Sequence, residues 1–215
     1  MSEVALPTGS IGDARAVSWH PGGMSSIDRH AQTAVPIHPL LASRHSTRAF
    51  QRGAELTDQQ VTALLEAARW SPSCSNTQPW RFIFAIRDTP DFKRVLDCLD
   101  PGNAAWAQQA SALMIAVRTN ANDGGPLSHA AYDLGQSVAH LTFQAAAEGL
   151  TLRQMAGFDA DAVSTEFSLD SNLVPTAAVA IGVPGNPDEL DEDARGPDFS
   201  PRTRLEVGQV LLNEL

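Results

Sequence analysis

The sequence predicts an α+β fold, and three observations carry that reading. Apolar runs of strand length occur at Trp80 to Ile86, Leu113 to Val117 and Thr176 to Ile181. Two longer stretches carry helix patterns instead, one from Thr57 to Ala68 and one from His129 to Glu148. The two kinds of element are mixed without the strict alternation that a doubly wound parallel sheet requires.

In chain order, residues 1 to 36 are rich in Gly, Pro and Ser and read as an irregular N-terminal extension. A terminal segment is ordered only when docked, and Trp19 and Ile27 are candidate anchors to this subunit or a partner. Residues 37 to 215 read as one domain, because no internal repeat and no linker divides them. Ile37 to Ser43 is a short apolar segment compatible with a helix. Thr57 is then the expected N-cap of the next helix. Gln60 closes a capping box at N3, and Leu56 with Val61 forms a hydrophobic staple. Leu64, Leu65 and Ala68 continue the apolar face until Pro72 ends it.

Asp88-Thr89-Pro90 opens a helix to about Leu99, Ala104 to Ala112 follows as another, and Asn120 to Pro126 reads as a polar loop. The helix from His129 is Ala-rich and closes on Gly149 at its C′ position. It is apolar nearly all round, so burial on several sides is expected, in the domain centre or in a subunit interface. His140 within it is expected as a hydrogen-bonded core residue. Thr151 to Met155 reads as a short strand, Asp159 to Phe167 as a short helix and Gly185 to Gly196 as a polar surface loop.

Composition narrows the function classes. With 43% apolar and 19% charged residues, the chain has the makeup of a globular domain rather than a disordered one. A net charge of −10, with Lys93 as the only lysine, argues against a nucleic-acid partner, which needs a basic footprint. No apolar run reaches the ~18 residues of a membrane span, and no basic-then-apolar signal pattern opens the chain; a cytoplasmic protein without membrane contact is expected. Cys74 and Cys98 are too few for a disulfide framework, and Cys98 reads as a small buried hydrophobe. No GxGxxG follows a strand, and no GxxxxGK[ST], GxSxG, HExxH or CxxC occurs. The six histidines show no metal-ligand spacing. This lack of side-chain catalysts fits an organic cofactor that carries the difficult chemistry.

Two stretches stand out. Arg69 to Trp80 (RWSPSCSNTQPW) crowds small hydroxyl, thiol and amide side chains between two prolines and two tryptophans. Such a segment suits a flat polar ligand, although an ordinary helix-to-strand loop would use the same residues. Just upstream lies Arg44-His45-Ser46-Thr47-Arg48-Ala49-Phe50. RHSTRAF, an amphipathic helix, then WSPSCSNTQPWRF resembles the nitroreductase-like family of FMN-dependent oxidoreductases, from about Ile37 to the C-terminus.

The resemblance implies a three-layer fold, with a central mixed or antiparallel sheet flanked by helices and a long buried central helix. It implies a homodimer with FMN at the subunit interface and NAD(P)H as co-substrate. Hydride would pass through flavin N5 to an electron-poor small molecule, a nitroaromatic, quinone or similar acceptor, in a ping-pong cycle. Arg44, His45, Ser46 and Arg48 match the phosphate and ribityl motif, and Pro72, Ser73, Cys74 and Asn76 match the loop that reaches the flavin from the partner chain. Arg202, or alternatively Arg204, matches the C-terminal basic residue on the phosphate. Gln78 joins Ser73, Cys74 and Asn76 as a donor set for the pyrimidine edge.

The same assignments make chemical sense, since arginines and hydroxyls suit a phosphate and amides suit a pyrimidine. Surface ion pairing is the competing explanation for the arginines, and for Arg202 and Arg204 taken alone it is the better one. One departure stands out. Where many members carry Pro-x-Glu-Gly-Phe near N5, this chain has Gln154-Met155-Ala156-Gly157-Phe158. Ala156 replaces the acid, while Gly157 keeps a backbone able to approach the flavin. Two other readings stay open: a flavin-sequestering protein without turnover, and a relative that uses flavin for dehydrogenation or flavin fragmentation.

Overall fold

The computed structural model describes residues 29–213. Trp19 and Ile27, the expected anchors, lie outside the described residues. The chain runs through α1 (Pro39–Ser43), α2 (Asp58–Arg69), β1 (Trp80–Ile86), α3 (Pro90–Asp97), α4 (Pro101–Ala107), β2 (Ala112–Thr119) and a tight hairpin, β3 (Ala121–Asn122) and β4 (Gly125–Pro126). It continues with α5 (Ala130–Ala147), β5 (Thr151–Met155), α6 (Ala160–Glu166), β6 (Leu173–Gly182), α7 (Glu192–Phe199) and α8 (Val207–Val210). Four strands form one sheet in the order β1-β2-β6-β5, and every pairing is antiparallel.

The period of two along β2 divides the core. Leu113, Ile115 and Val117 face a cluster with Phe92 of α3, Trp106 of α4 and Val163 of α6. Ala112, Met114 and Ala116 face the other cluster, with Leu64 and Ala68 of α2 and Leu134, Val138 and Leu141 of α5. The result is helix, sheet, helix, as an α+β chain with apolar strands on both faces requires.

Local signals explain most element ends. Thr57 Oγ1 accepts from the Gln60 N–H at 3.2 Å and the Thr57 N–H reaches Gln60 Oε1 at 3.0 Å, the reciprocal capping box expected at α2. Thr89 caps α3 with proline at its first position. At the end of α5, Gly149 has φ +72°, and the N–H groups of Gly149 and Leu150 reach back to Ala146 and Ala145 at 3.2 and 2.8 Å. That is a Schellman cap, and it requires the glycine.

Three expectations need correction. Pro101 starts α4 three residues earlier than Ala104, and the helix stops at Ala107. Gly185 to Gly196 is not simply a loop: it holds a 3-10 turn at Pro187–Glu189 and the first turns of α7, whose Gly196-Pro197 breaks any helical pattern in the sequence. The long helix α5 lies in the domain centre, as expected, with one face buried. Asp133, Leu134, Ser137, Val138, Leu141 and Ala145 point inward, while Tyr132 is 68% exposed and Ala139, Phe143 and Ala146 are half-buried. His140 is exposed rather than in the core. Among the described residues no helix is long and apolar enough to cross a membrane.

Candidate functional site

The segment from Arg44 to Phe50 leaves α1 without regular secondary structure and is anchored at its far end. Thr47, Ala49 and Phe50 are buried, and Thr47 Oγ1 accepts from the Ala49 N–H at 2.9 Å. The Gln51 N–H donates to Val183 and the Gly185 N–H to Ala49, which fastens the run beside the end of β6. With these residues held inside, Arg44, His45 and Ser46 stay at the surface.

Around them the fold collects positive charge from three parts of the chain. Arg44 Nη1 lies 3.4 Å from Ser46 Oγ. Burial and the nearby Arg204 hold the Arg44 guanidinium below its ordinary pKa. Arg202 is lowered as well, by burial first and then by Arg44, Arg204 and Arg29. Burial also depresses His45, the Ser43 carbonyl opposes it, and Arg29 and Arg202 depress it further. Mutual repulsion of this kind means that four guanidiniums and one imidazole share a neighbourhood. Arg44 and Arg204 have no carboxylate within ion-pair distance among the described residues. An anion with several acceptor oxygens fits such a place.

One carboxylate supports the cluster from beneath. Asp198 of α7, 3% exposed, accepts from the Arg48 N–H at 3.0 and 3.3 Å and lies 3.6 Å from Arg29 Nη2. Arg202 Nη1 donates to the backbone carbonyls of Arg29 and Ala42, so one edge of its guanidinium ties the terminal segments together. The Arg48 side chain turns away to the Asp193 carbonyl at 3.4 Å, with its guanidinium 5.9 Å from the Trp106 ring centre.

The second stretch is a loop held onto α5. Asp133 is buried and its Oδ2 accepts from the Cys74 N–H at 3.0 Å. One turn on, Ser137 donates to the Ala68 carbonyl at 2.9 Å, and His140 Nδ1 lies 3.3 Å from Ser71 Oγ. These three residues share one helix face. Inside the loop the Gln78 N–H reaches Ser73 Oγ at 3.1 Å, and Ser75, Asn76 and Gln78 take left-handed backbone with φ of 51°, 55° and 47°. Left-handed backbone is costly for residues other than glycine, and its concentration in one loop marks a shape that the fold imposes. Pro72, Cys74, Asn76 and Gln78 are exposed at its surface.

Beyond β5, Ala156 is exposed and Gly157 is pressed against the start of α4. The Gly157 carbonyl accepts from the Asp100 N–H at 3.1 Å and from Asn103 Nδ2 at 2.9 Å. A Cβ at Gly157 would stand 2.6 Å from Asp100 Oδ2 and 2.7 Å from Asn103 Nδ2. Gly157→Ala is therefore expected to destabilise the fold by about 1–2 kcal/mol, read as a lower urea midpoint. An unchanged midpoint would mean that both side chains swing aside freely.

Residues 41–99, which contain RHSTRAF, α2 and the loop, match the sequence model of the Nitroreductase family. A solved structure described as an oxidoreductase containing FMN superposes with a TM-score of 0.80 at 29% identity, over 86% of this chain and 95% of that one. The chain belongs to the nitroreductase family. A putative NADH dehydrogenase/NAD(P)H nitroreductase of Streptomyces coelicolor is 29% identical over 64% of this chain and 78% of that protein. An uncharacterised protein of Mycolicibacterium smegmatis is 34% identical over 55% of this chain and 80% of its own length.

For this nitroreductase-family chain, the structure gathers Arg44, His45, Ser46, Arg202 and Arg204, but not the whole expected set. Among the described residues no hydrogen bond or ion pair joins 44–48 to 72–78. Two shallow depressions, of about 340 and 480 Å³, contain none of the expected residues. Four residues that organise the site escape the motif reading: Arg29, Asp133, Arg153 and Asp198. A carboxylate within the Ala-rich run of α5 was the one legible signal, because a buried charge needs a partner.

Proposed function

We propose that this chain is an FMN-dependent oxidoreductase whose cofactor site is completed by a second copy. The observation that carries the reading is the arginine cluster, positive on an otherwise acidic chain, with no carboxylate within ion-pair distance of Arg44 or Arg204 among the described residues. Arg44 and Ser46 bind the phosphate of FMN in this reading, with His45 and Arg48 beside them. Arg204 is the better direct contact from the C-terminal arm, since Arg202 Nη1 already donates to two backbone carbonyls. The Pro72 to Gln78 loop offers Ser73, Cys74, Asn76 and Gln78 to the pyrimidine edge of the partner's flavin, and Asp133 keeps that loop in shape.

The open face of α5, with Tyr132, Ala139, Phe143 and Ala146, supports a dimer that brings the two halves together. When bound, FMN supplies hydride transfer at N5, from NAD(P)H to an electron-poor acceptor such as a nitroaromatic or quinone in a ping-pong cycle. Gly157 leaves the Ala156–Phe158 backbone close-packed against α4, and no acid or base at Ala156 takes part. Protons come from solvent.

Ala156 in place of an acid favours a second reading, a flavin-sequestering protein without reductase turnover. The visible spectrum of purified protein with FMN, before and after anaerobic NADH or NADPH, separates the two. Bound-flavin bands that bleach support the oxidoreductase, and bands that persist support sequestration or another reductant. No flavin binding rejects both. In the same sample light scattering is expected to give a dimer; a monomer that holds FMN would reject the shared site.

A further inference from the structure

Arg153 lies on β5, the strand that runs directly into Ala156 and Gly157, and pairs there with Ala180 of β6. Its Nη1 donates to the Ser46 carbonyl at 3.1 Å, across 107 residues of sequence. Its guanidinium lies 5.6 Å from the Trp106 ring centre, and Arg48 lies 5.9 Å from the same ring. Trp106 is 1% exposed and is stacked on Phe50 at 6.3 Å, so the platform is rigid. Two guanidiniums on one indole repel each other. Burial chiefly, and Arg48 next, hold Arg153 below its ordinary pKa, with Asp198 opposing. Arg48 Nε and Trp106 Nε1 are buried there without a hydrogen-bond partner among the described residues, which makes this corner rich in donors.

A charge placed against repulsion and desolvation needs a compensating use. For stability alone an apolar side chain on β5 would cover Trp106 without either penalty. What the arginine adds is a fixed hold on the backbone of Ser46, at the centre of the arginine motif. We propose that Arg153 is a positioning residue that clamps the Arg44 to Arg48 loop in its anion-binding shape and couples it to the strand leading to Ala156–Gly157. It acts through the Ser46 carbonyl and the Trp106 platform shared with Arg48. The inference rests on the FMN reading above, because the anion it serves is the phosphate of FMN.

The test compares FMN with riboflavin, which lacks the phosphate, as ligands of the full-length protein by fluorescence titration. Arg153→Met is expected to weaken FMN binding about tenfold while riboflavin binding changes little, as loss of one charge-assisted contact implies. Arg153→Lys keeps a donor and a charge but not the planar stack, and is expected to recover part of the loss. A purely structural role would weaken both ligands in parallel and leave their ratio unchanged. That result, in either variant, overturns the proposal; if Arg153→Met does not fold, Arg153→Lys alone decides. Wild-type protein that binds no FMN would reject the FMN reading, whereas normal wild-type binding with an unchanged ratio rejects only the role of Arg153.

Discussion

Asp198→Ala is expected to lower the stability of the fold by about 3 kcal/mol, the scale set when one partner of a buried charge pair is removed. The carboxylate is almost fully enclosed, accepts from the Arg48 N–H, and lies 3.6 Å from Arg29 Nη2. Truncation leaves the N–H without an acceptor, leaves Arg29 without that carboxylate and opens a small cavity. Asp198→Asn retains an acceptor oxygen for the Arg48 N–H and is expected to recover part of the loss. Urea unfolding at neutral pH measures both variants. An alanine variant within about 0.5 kcal/mol of wild type would mean that α7 is not the support of the arginine motif.

Arg44→Ala is expected to weaken FMN binding by roughly ten- to a hundredfold, equivalent to about 1.5–3 kcal/mol for a charge-assisted contact. Arg44 combines three properties: a position beside Ser46 Oγ, partial burial, and the nearby charges of Arg204 and Arg202. Removing it relieves repulsion in the free protein, so the change should hardly alter folding stability and should appear almost wholly in affinity. Retention of FMN through a desalting column and quenching of flavin fluorescence both report it. Affinity within twofold of wild type would show that the phosphate lies elsewhere. Raised salt should shrink the difference between the two proteins, because screening weakens exposed and half-buried charges alike.

Much of the architecture was legible because its causes are local. Thr57 and Gln60 specify the start of α2 within four residues, Gly149 specifies the end of α5, and WRFIFAI specifies β1 by composition and length. The helix beginning at Glu192 was not legible, because the Gly196-Pro197 pair and a run of acids look like a solvent loop. Tertiary contact overrides that pattern, since Asp198 turns inward to Arg29 and Arg48. His140 was misread for a related reason. Periodicity shows that α5 is apolar but not where along its covered face the covering ends, and His140 is exposed although it shares the face of Asp133 and Ser137.

The two motifs, the family they belong to and the layered α+β class follow from the order of residues alone, because each depends on neighbours a few positions apart. The grouping of Arg29, Arg44, Arg202 and Arg204 does not, and neither do the Asp198 support, the Asp133 anchor of the loop and the Arg153 hold on Ser46. These contacts span from 59 to at least 150 residues. No local propensity encodes such distances. They exist because an antiparallel sheet with β5 at its edge, and a C-terminal arm returning over α1, bring distant charges to one side of the molecule.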